Sequence, residues 1–336
     1  MATPFLSLPQ NDRAQILQVM AERLGRTAQV LEKDVWICEV LQILFAVPGA
    51  KRMAFKGGTA LSKVYRVIKR FSEDIDVSID YRDLGITPDP LAEKLSGNQI
   101  KIVSQKLKQA LAKEIENNII LYLKTELKSR YATKELGLDI NSSGESIRVS
   151  YPSAADQTKT YLRDHVLLEF GGRNLSEPNE THEITADIAN QVPELEFPKA
   201  AITVLSPQKT FWEKATLVHV ECHRRQIKGG AIRKSRHWYD LAQLAPTNIG
   251  VSALKNRGLL KEVVALKSAF FNASYAHYEK CLTGELRLIP DGEGLTALSN
   301  DYAQMQDAGM FSEPPPPFEA VVATLRDLES RINTQS

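Results

Sequence analysis

Residues 52–79, RMAFKGGTALSKVYRVIKRFSEDIDVSI, constrain the fold more than any other part of this chain. A short apolar run ends in a glycine pair, and a helical pattern with one apolar stripe from Leu61 to Ile68 follows at once. Either Gly58 or Thr59 can cap the start of that helix. An alternating, acid-rich stretch comes next. The segment therefore predicts a strand, a glycine turn, a helix and a second strand in succession.

The second strand, RFSEDIDVSIDY at 70–81, carries acids that strands usually avoid. Side chains alternate along a strand, so Ser72, Asp74 and Asp76 share one face, while the other face is apolar. Carboxylates two residues apart have Cα atoms roughly 6.5–7 Å from each other. Their oxygens can converge on Mg²⁺, which prefers oxygen ligands and shares its shell with phosphates. The strand therefore predicts a magnesium site at Asp74 and Asp76; the alternative is an edge strand whose polar face is solvated.

The glycine pair, Gly57 and Gly58, precedes a helix N-terminus, where exposed backbone N–H groups suit a phosphate. By itself the pair also fits a tight turn that needs positive φ. Neither a Walker A loop nor a G-x-G-x-x-G fingerprint is present. A glycine pair followed across one helix by D-x-D is the arrangement of polymerase-β-like nucleotidyltransferases.

Two-metal phosphoryl transfer usually needs a third acid on a neighbouring strand. Glu169, in HVLLEFGGR, is flanked by apolar residues and is the main candidate. Asp139 and Asp187 are weaker candidates, because their surroundings are less apolar.

The chain has 336 residues, of which 43% are hydrophobic, enough for two lobes that each have a hydrophobic core. Because the net charge is only +1, any nucleic acid would have to be bound by a local basic patch. Three scattered cysteines fit a reducing cytoplasm, and no membrane span is expected.

Strand patterns at 145–151, 165–170 and 200–207 precede a helical remainder. We expect an α+β fold: a nucleotidyltransferase lobe at 1–205, with a mixed sheet flanked by helices and a helical N-terminal extension, then an all-helical C-terminal lobe at 206–336.

Several segments resemble the AbiEii/AbiGii-type nucleotidyltransferase toxins of bacteria. They include LEKDVWICEVL, FKGGTALSKVY, RFSEDIDVSI, LSPQKTFWEKATLVH and SRHWYDLAQL, in the family's order. The resemblance implies a toxin with a separate antitoxin encoded nearby. It implies transfer of a nucleoside monophosphate from an NTP, with Mg²⁺ or alternatively Mn²⁺. The expected acceptor is RNA, in particular the tRNA 3′ end, and the expected effect is a block of translation.

The resemblance also assigns residues. Lys214 falls where the family has a lysine that contacts the nucleotide, and Asp240 where it has an acid needed for activity. Arg70 could touch phosphate or pair with Asp74. The nucleotide-binding candidates are Lys56, Gly57, Gly58, Thr59, Arg70, Ser72 and Lys214; the catalytic candidates are Asp74, Asp76, Glu169, Lys214 and Asp240, with Asp74, Asp76 and Glu169 as metal ligands.

A basic stretch, RRQIKGGAIRKSR, lies between Lys214 and Asp240. Its cations could contact RNA phosphates, or they could simply be solvated. They are Arg224, Arg225, Lys228, Arg233, Lys234 and Arg236. Two other functions are considered: transfer to a hydroxyl of a protein or small molecule, and a catalytically silent binding module. A silent module would be expected to lack D-x-D or the glycine pair, and both are present.

Overall fold

The chain divides into two compact units in a computed structural model that describes residues 2–93, 95–131, 133, 135–155, 162–224, 233–271 and 273–334. The first unit comprises Met1–Val64, Phe71–Thr87 and Ser104–Leu205. The second comprises Tyr65–Arg70, Pro88–Val103 and Ser206–Ser336.

The strands in the described residues are β1 Thr3–Pro4, β2 Met53–Lys56, β3 Asp74–Asp80, β4 Gly137–Ile140, β5 Ser146–Ser150, β6 His165–Asn174, β7 Asn179–Thr185, β8 Leu195–Glu196 and β9 Lys199–Leu205. Seven of them form a mixed sheet at the centre of the first unit, in the order β4-β5-β6-β3-β2-β9-β7. The two shortest, β1 and β8, pair with each other as a separate parallel ribbon.

Strand β3 lies in the middle of the sheet, antiparallel to β2 and parallel to β6. One of its faces is apolar and buried, with Ile75, Val77 and Ile79 all at most 1% exposed. Because side chains alternate along a strand, this buried face fixes the acids at positions 74 and 76 on the opposite face.

The helices are α1 Gln10–Leu24, α2 Ala28–Leu44, α3 Gly57–Lys63, α4 Gly97–Glu114, α5 Ile120–Arg130, α6 Pro207–Cys222, α7 Ser235–Leu244, α8 Asn248–Lys255, α9 Arg257–Phe270, α10 Gly292–Asp307 and α11 Phe318–Thr334. A π-helical turn, Ile115–Ile119, joins α4 to α5. Gly25, in the left-handed conformation, is the C-cap that follows α1, and Thr27 caps α2 by accepting a hydrogen bond from the Val30 N–H. Helix α2 is buried almost all round and contacts β6, β7 and β9.

The expected α+β fold with a mixed sheet flanked by helices is confirmed. The strands predicted at 145–151, 165–170 and 200–207 correspond to β5, β6 and β9. Strands β1, β4, β7 and β8 were not predicted. The boundary at 205/206 stays a prediction, because the second unit also takes in two earlier segments.

The helix expected to run from the glycine pair to Ile68 is shorter than predicted. It ends at Lys63, and its N-cap is Lys56 rather than Gly58 or Thr59. Beyond it, the Lys69 N–H donates to the Tyr239 hydroxyl and the Lys69 carbonyl accepts from the Ser312 N–H. The chain leaves the helical conformation at Arg66, whose φ is +53°, and Lys69 pairs with residues distant in sequence, so a valid apolar spacing did not produce a helix here.

The acidic strand is also shorter than 70–81, since β3 begins at Asp74. Ser72 precedes it and is 7% exposed.

None of the helices in the described ranges is long and apolar enough to cross a membrane. The three cysteines are buried free thiols.

His219, on α6, is a structural residue of the second unit. Its Nδ1 accepts a hydrogen bond from the Arg287 N–H, and its Nε2 lies 3.0 Å from the His277 carbonyl oxygen. Only the neutral imidazole with its proton on Nε2 satisfies both contacts. Burial lowers the pKa of His219 to about 4.

This pKa predicts a loss of stability in mild acid. The unfolded chain takes up a proton on His219 near pH 6.5, whereas the folded chain does so only near pH 4, so lowering the pH between these values favours unfolding. We expect His219 to account for about 2 kcal/mol of stability lost between pH 7 and pH 4.5. Urea unfolding of the wild type and of His219→Gln across this range measures it. Equal pH slopes for the two proteins would contradict the assignment.

Candidate active site

The turn at Gly57 joins β2 to α3 in a conformation that favours glycine. Its φ is +77°, and a Cβ atom placed on it would overlap the Asp76 carboxylate. Glycine is therefore required at this position twice, for the backbone angle and for the close approach of Asp76. The predicted glycine turn is confirmed in its geometry.

Asp76 lies in a row of side chains that crosses three strands of the sheet. It is directly opposite Lys56 on β2 and Glu169 on β6. Residues opposite each other in neighbouring strands project from the same face, with strands about 4.8 Å apart. Asp76 is half-buried and Glu169 is exposed. The register thus places Glu169, the main candidate for a third acid, beside Asp76.

The alternative third acids lie elsewhere in the first unit. Asp187 is paired with Arg26 at 2.6 Å and with Lys63 at 3.0 Å. Asp139 is exposed on β4, opposite Arg148 in the register of β5.

Asp74 is held at the start of β3. The Thr59 hydroxyl donates to its backbone carbonyl, and Arg163 Nη1 lies 2.6 Å from its Oδ1. Thr59 is only 2% exposed. The hydroxyl of Thr59 therefore links α3 to β3 through a hydrogen bond, whereas the sequence predicted that it would contact the nucleotide.

The first unit offers suitable chemistry for a divalent cation. Asp74 and Asp76 supply two carboxylates on one face of β3, and the Asp76 carboxylate lies over a glycine that leaves it room. Hard oxygen donors of this kind fit Mg²⁺, whose other positions are normally filled by water and substrate phosphates. Within the described residues, no group of three or more His, Cys, Asp or Glu side chains is arranged to hold a metal ion. Asp74 and Asp76 are thus the two carboxylates on this face of β3 whose chemistry suits such a cation.

In the second unit, Asp240 binds two cations. Arg70 donates from Nε to Asp240 Oδ1 and from Nη2 to Asp240 Oδ2, both at 2.7 Å, and Lys214 Nζ donates to Asp240 Oδ2 at 2.7 Å. Asp240 is fully buried, and Lys214 is 8% exposed. Burial by itself would raise the pKa of Asp240, but the two cations hold it below its usual range. Burial lowers the pKa of Lys214, although Asp240 opposes this.

Arg70 was expected to touch phosphate or to pair with Asp74. It lies outside β3, in the second unit, where it pairs with Asp240. The pairing could not be found from the sequence, because the two residues are far apart in the chain.

Three consecutive charges in an apolar helix are the main feature whose role the sequence did not reveal. Glu32, Lys33 and Asp34 on α2 are all at most 4% exposed. Asp34 accepts two hydrogen bonds from Lys63, at 2.5 and 2.7 Å. Charged residues inside a strongly apolar helix are the signal that could have identified them, since unpaired charges are rarely buried.

Glu32 organises a loop of the first unit, 153–155. Its carboxylate accepts from the Ser153 hydroxyl at 2.6 Å and from the N–H groups of Ala154 and Ala155 at 2.6 and 3.1 Å. Lys33 is paired with Glu73. The three charges on α2 therefore hold three different parts of the first unit.

The basic stretch is only partly visible, since Arg225 and Lys228 lie outside the described residues. Arg224 and Lys234 both pair with Glu221, at 3.4 and 2.9 Å. The Arg233 N–H donates to Asp301. One acid thus partly neutralises two of the predicted RNA-binding cations, and the RNA-binding role stays a prediction, as it does for Arg236.

Residues 39–324 match the model of a family described as nucleotidyl transferase AbiEii toxin, type IV toxin–antitoxin system. The chain belongs to this family. It is therefore a nucleotidyltransferase of the AbiEii toxin family, as the motifs predicted, and its type IV system implies a cognate antitoxin. No curated protein matches the chain significantly. The chain is also similar to a solved structure, that of the nucleotidyltransferase toxin MenT4 of Mycobacterium tuberculosis. The sequence identity is 17%, the alignment covers 98% of this chain and 99% of the MenT4 chain, and the TM-score is 0.46.

Gly57→Ala is expected to impair this AbiEii-family enzyme through Asp76. The methyl group would displace the carboxylate, and a displacement of about 1 Å can cost about 100-fold in rate. Gly49→Ala is the matched control, because Gly49 has a similar φ of +65° but nothing within 4 Å of its Cβ position. Each variant should lose about 1–2 kcal/mol of stability from backbone strain. Equal transfer rates in the two variants would show that Asp76 placement is not at issue.

Proposed function

We propose that the protein transfers a nucleoside monophosphate from an NTP to a hydroxyl of an RNA, with the tRNA 3′ end as the acceptor, and thereby blocks translation. One observation carries the proposal: two carboxylates, Asp74 and Asp76, lie on one face of β3, and the turn at Gly57 leaves room for the Asp76 carboxylate. A surface of this kind suits a triphosphate with its divalent cation.

In the proposed reaction, the acceptor oxygen attacks the α-phosphorus, the bond between the α-phosphorus and the bridging oxygen breaks, and pyrophosphate leaves. Asp74 and Asp76 would hold Mg²⁺, or Mn²⁺ instead, which neutralises charge developing on the phosphates. Glu169 would accept the proton of the acceptor hydroxyl, because it is exposed beside Asp76. The backbone N–H groups of Gly57 and Gly58 would bind phosphate oxygens.

Lys56 and Ser72 complete the proposed triphosphate contacts. Lys56 supports this role because it is opposite Asp76 on the same face of the sheet. Thr59 would act indirectly, since its hydroxyl fixes the start of β3.

For the second unit we propose that Lys214 and Arg70 bind phosphate and that Asp240 positions them. Two buried cations, Arg70 and Lys214, share the one carboxylate of Asp240. A carboxylate whose oxygens both accept from cations is poorly suited to act as a base. Arg70 offers a planar fork that matches a phosphate.

The basic stretch would supply sequence-independent contacts to the RNA backbone. Such contacts are screened by salt, so acceptor binding should weaken as ionic strength rises.

The test is incubation of the purified protein with Mg²⁺, total tRNA and each of the four α-labelled NTPs in turn, with Asp74→Ala as the inactive comparison. Transfer of label to tRNA by the wild type only would support the reaction, its donor and its acceptor together. Transfer of label to a protein or a small molecule in a lysate would support the nucleotidyl transfer but show that the acceptor is not RNA. Equal label with wild type and Asp74→Ala would refute the proposal.

A further inference from the structure

Arg163 contacts the carboxylate that the proposed chemistry needs. Its Nη1 is 2.6 Å from Asp74 Oδ1, and the Arg163 side chain is 34% exposed whereas that of Asp74 is 7% exposed. Arg163 lies just before β6 and belongs to none of the motifs recognised in the sequence. A guanidinium therefore occupies one oxygen of a proposed metal ligand.

The backbone of Arg163 is clamped by a buried ion pair. Lys33 Nζ donates to Glu73 Oε2 at 2.5 Å and to the Arg163 carbonyl at 2.9 Å. The same Glu73 oxygen accepts from the Arg163 N–H at 2.9 Å. The side chains of Lys33 and Glu73 are 0% and 3% exposed. Both polar backbone groups of Arg163 are thus fixed, while its side chain keeps access to solvent.

This arrangement is costly to build. Burying an ion pair removes two charges from water, and the attraction between them only partly offsets that loss. Here the pair spans α2 and the residue preceding Asp74, and it places one arginine against one aspartate. A fixed backbone with a partly exposed guanidinium allows the side chain to change partners without moving the chain.

A guanidinium and a divalent cation compete for the same carboxylate. The two positive groups repel each other, and both are attracted to the carboxylate oxygens of Asp74. A triphosphate gives the guanidinium another partner, since planar N–H donors match phosphate oxygens in pairs. Binding of the nucleotide would therefore free Asp74 for the cation.

We propose that Arg163 is a further substrate-binding residue, which holds Asp74 in the nucleotide-free enzyme and moves to the triphosphate when an NTP binds. The inference rests on the proposed function, because it takes Asp74 as a ligand of the cation. It requires that metal and nucleotide strengthen each other's binding, as two ligands of one coupled site do.

Mn²⁺ binding without nucleotide, measured by electron paramagnetic resonance, and binding of α,β-methylene NTP analogues, measured by calorimetry, test the proposal. Arg163→Gln should bind Mn²⁺ about 3- to 10-fold more tightly, because a competing cation is gone. It should bind the analogue about 10-fold more weakly, because a phosphate contact is lost. Effects of opposite sign on the two ligands are not expected from loss of structure alone.

Arg26→Gln is the matched control, because Arg26 is 29% exposed and pairs with Asp187 at the same 2.6 Å within the same unit. It should leave both affinities unchanged, and Arg163→Lys should fall between the wild type and Arg163→Gln. A folded Arg163→Gln that binds Mn²⁺ no more tightly than the wild type would overturn the proposal.

A second measurement needs no variant. In the wild type, a saturating analogue should tighten Mn²⁺ binding about 5-fold or more; independent binding of the two ligands would overturn the proposal even if Arg163→Gln failed to fold. Failure here is distinct from failure of the proposed function. A wild type that transfers label to tRNA, with Mn²⁺ affinity unaffected by Arg163→Gln, would refute this inference alone.

Discussion

Asp76→Asn is expected to reduce nucleotidyl transfer about 1,000-fold or more while the protein remains folded. A metal ligand supplies several kcal/mol of charge stabilisation in the transition state, and about 1.4 kcal/mol corresponds to a factor of ten. Asparagine has nearly the same size and fits over Gly57 as aspartate does. Asp76 is preferred to Asp74 for this test, because Asp74 also neutralises Arg163.

The measurement is a single-turnover rate of label transfer at saturating NTP and Mg²⁺, with circular dichroism as the check on folding. Asp83→Asn is a suitable control, since Asp83 follows β3 and is paired with Arg52 on the surface, at 2.7 Å. It removes the same charge and should leave the rate within about twofold, because it contacts none of the proposed site. More than a tenth of the wild-type rate in Asp76→Asn would exclude Asp76 as a metal ligand.

Lys33→Met is expected to cost about 3–5 kcal/mol of the free energy of unfolding, because it leaves Glu73 charged and buried. Burial lowers the pKa of Lys33, although Glu73 opposes this, so the folded state already bears the cost of desolvating the ammonium. Removing both charges in Lys33→Met with Glu73→Gln should recover a large part of the loss. A domain of ordinary stability has about 5–15 kcal/mol in total, so the single variant is close to unfolding.

Urea unfolding of the two single variants and the double variant measures the coupling between the charges. Lys199→Met is the matched control, because Lys199 pairs with Glu183 at 2.9 Å but both side chains are at least 60% exposed. Exposed pairs contribute about 0–1 kcal/mol. If Lys33→Met cost no more than Lys199→Met, the clamp on Arg163 would have no energetic basis.

Local patterns accounted for the parts of the site that depend on short-range geometry. Alternation along β3 placed the acids on one face because its apolar residues must be buried. Gly57 was identified because a turn between a strand and a helix often needs positive φ, and its φ is +77°. The family followed from the order of such motifs, and the match over residues 39–324 confirmed it.

Patterns that compete with long-range contacts were less informative. The apolar spacing that continues to Ile68 is a valid helical signal, but Lys69 forms its hydrogen bonds with Tyr239 and Ser312 instead. Strand β7 was missed because it is polar and largely exposed at the end of the sheet, where an apolar alternation is not required.

The sequence by itself determined the glycine turn and the shared face of Asp74 and Asp76, because these depend on neighbours within a few residues. It determined the enzyme family through the order of its motifs. Only the tertiary structure decided which groups those residues meet. The register of β6 against β3 brings Glu169 beside Asp76, and burial of α2 brings Lys33 to Glu73. Asp240 receives Arg70 in the same way. Such pairings join residues far apart in the chain, where many partners have the right charge and only packing selects one.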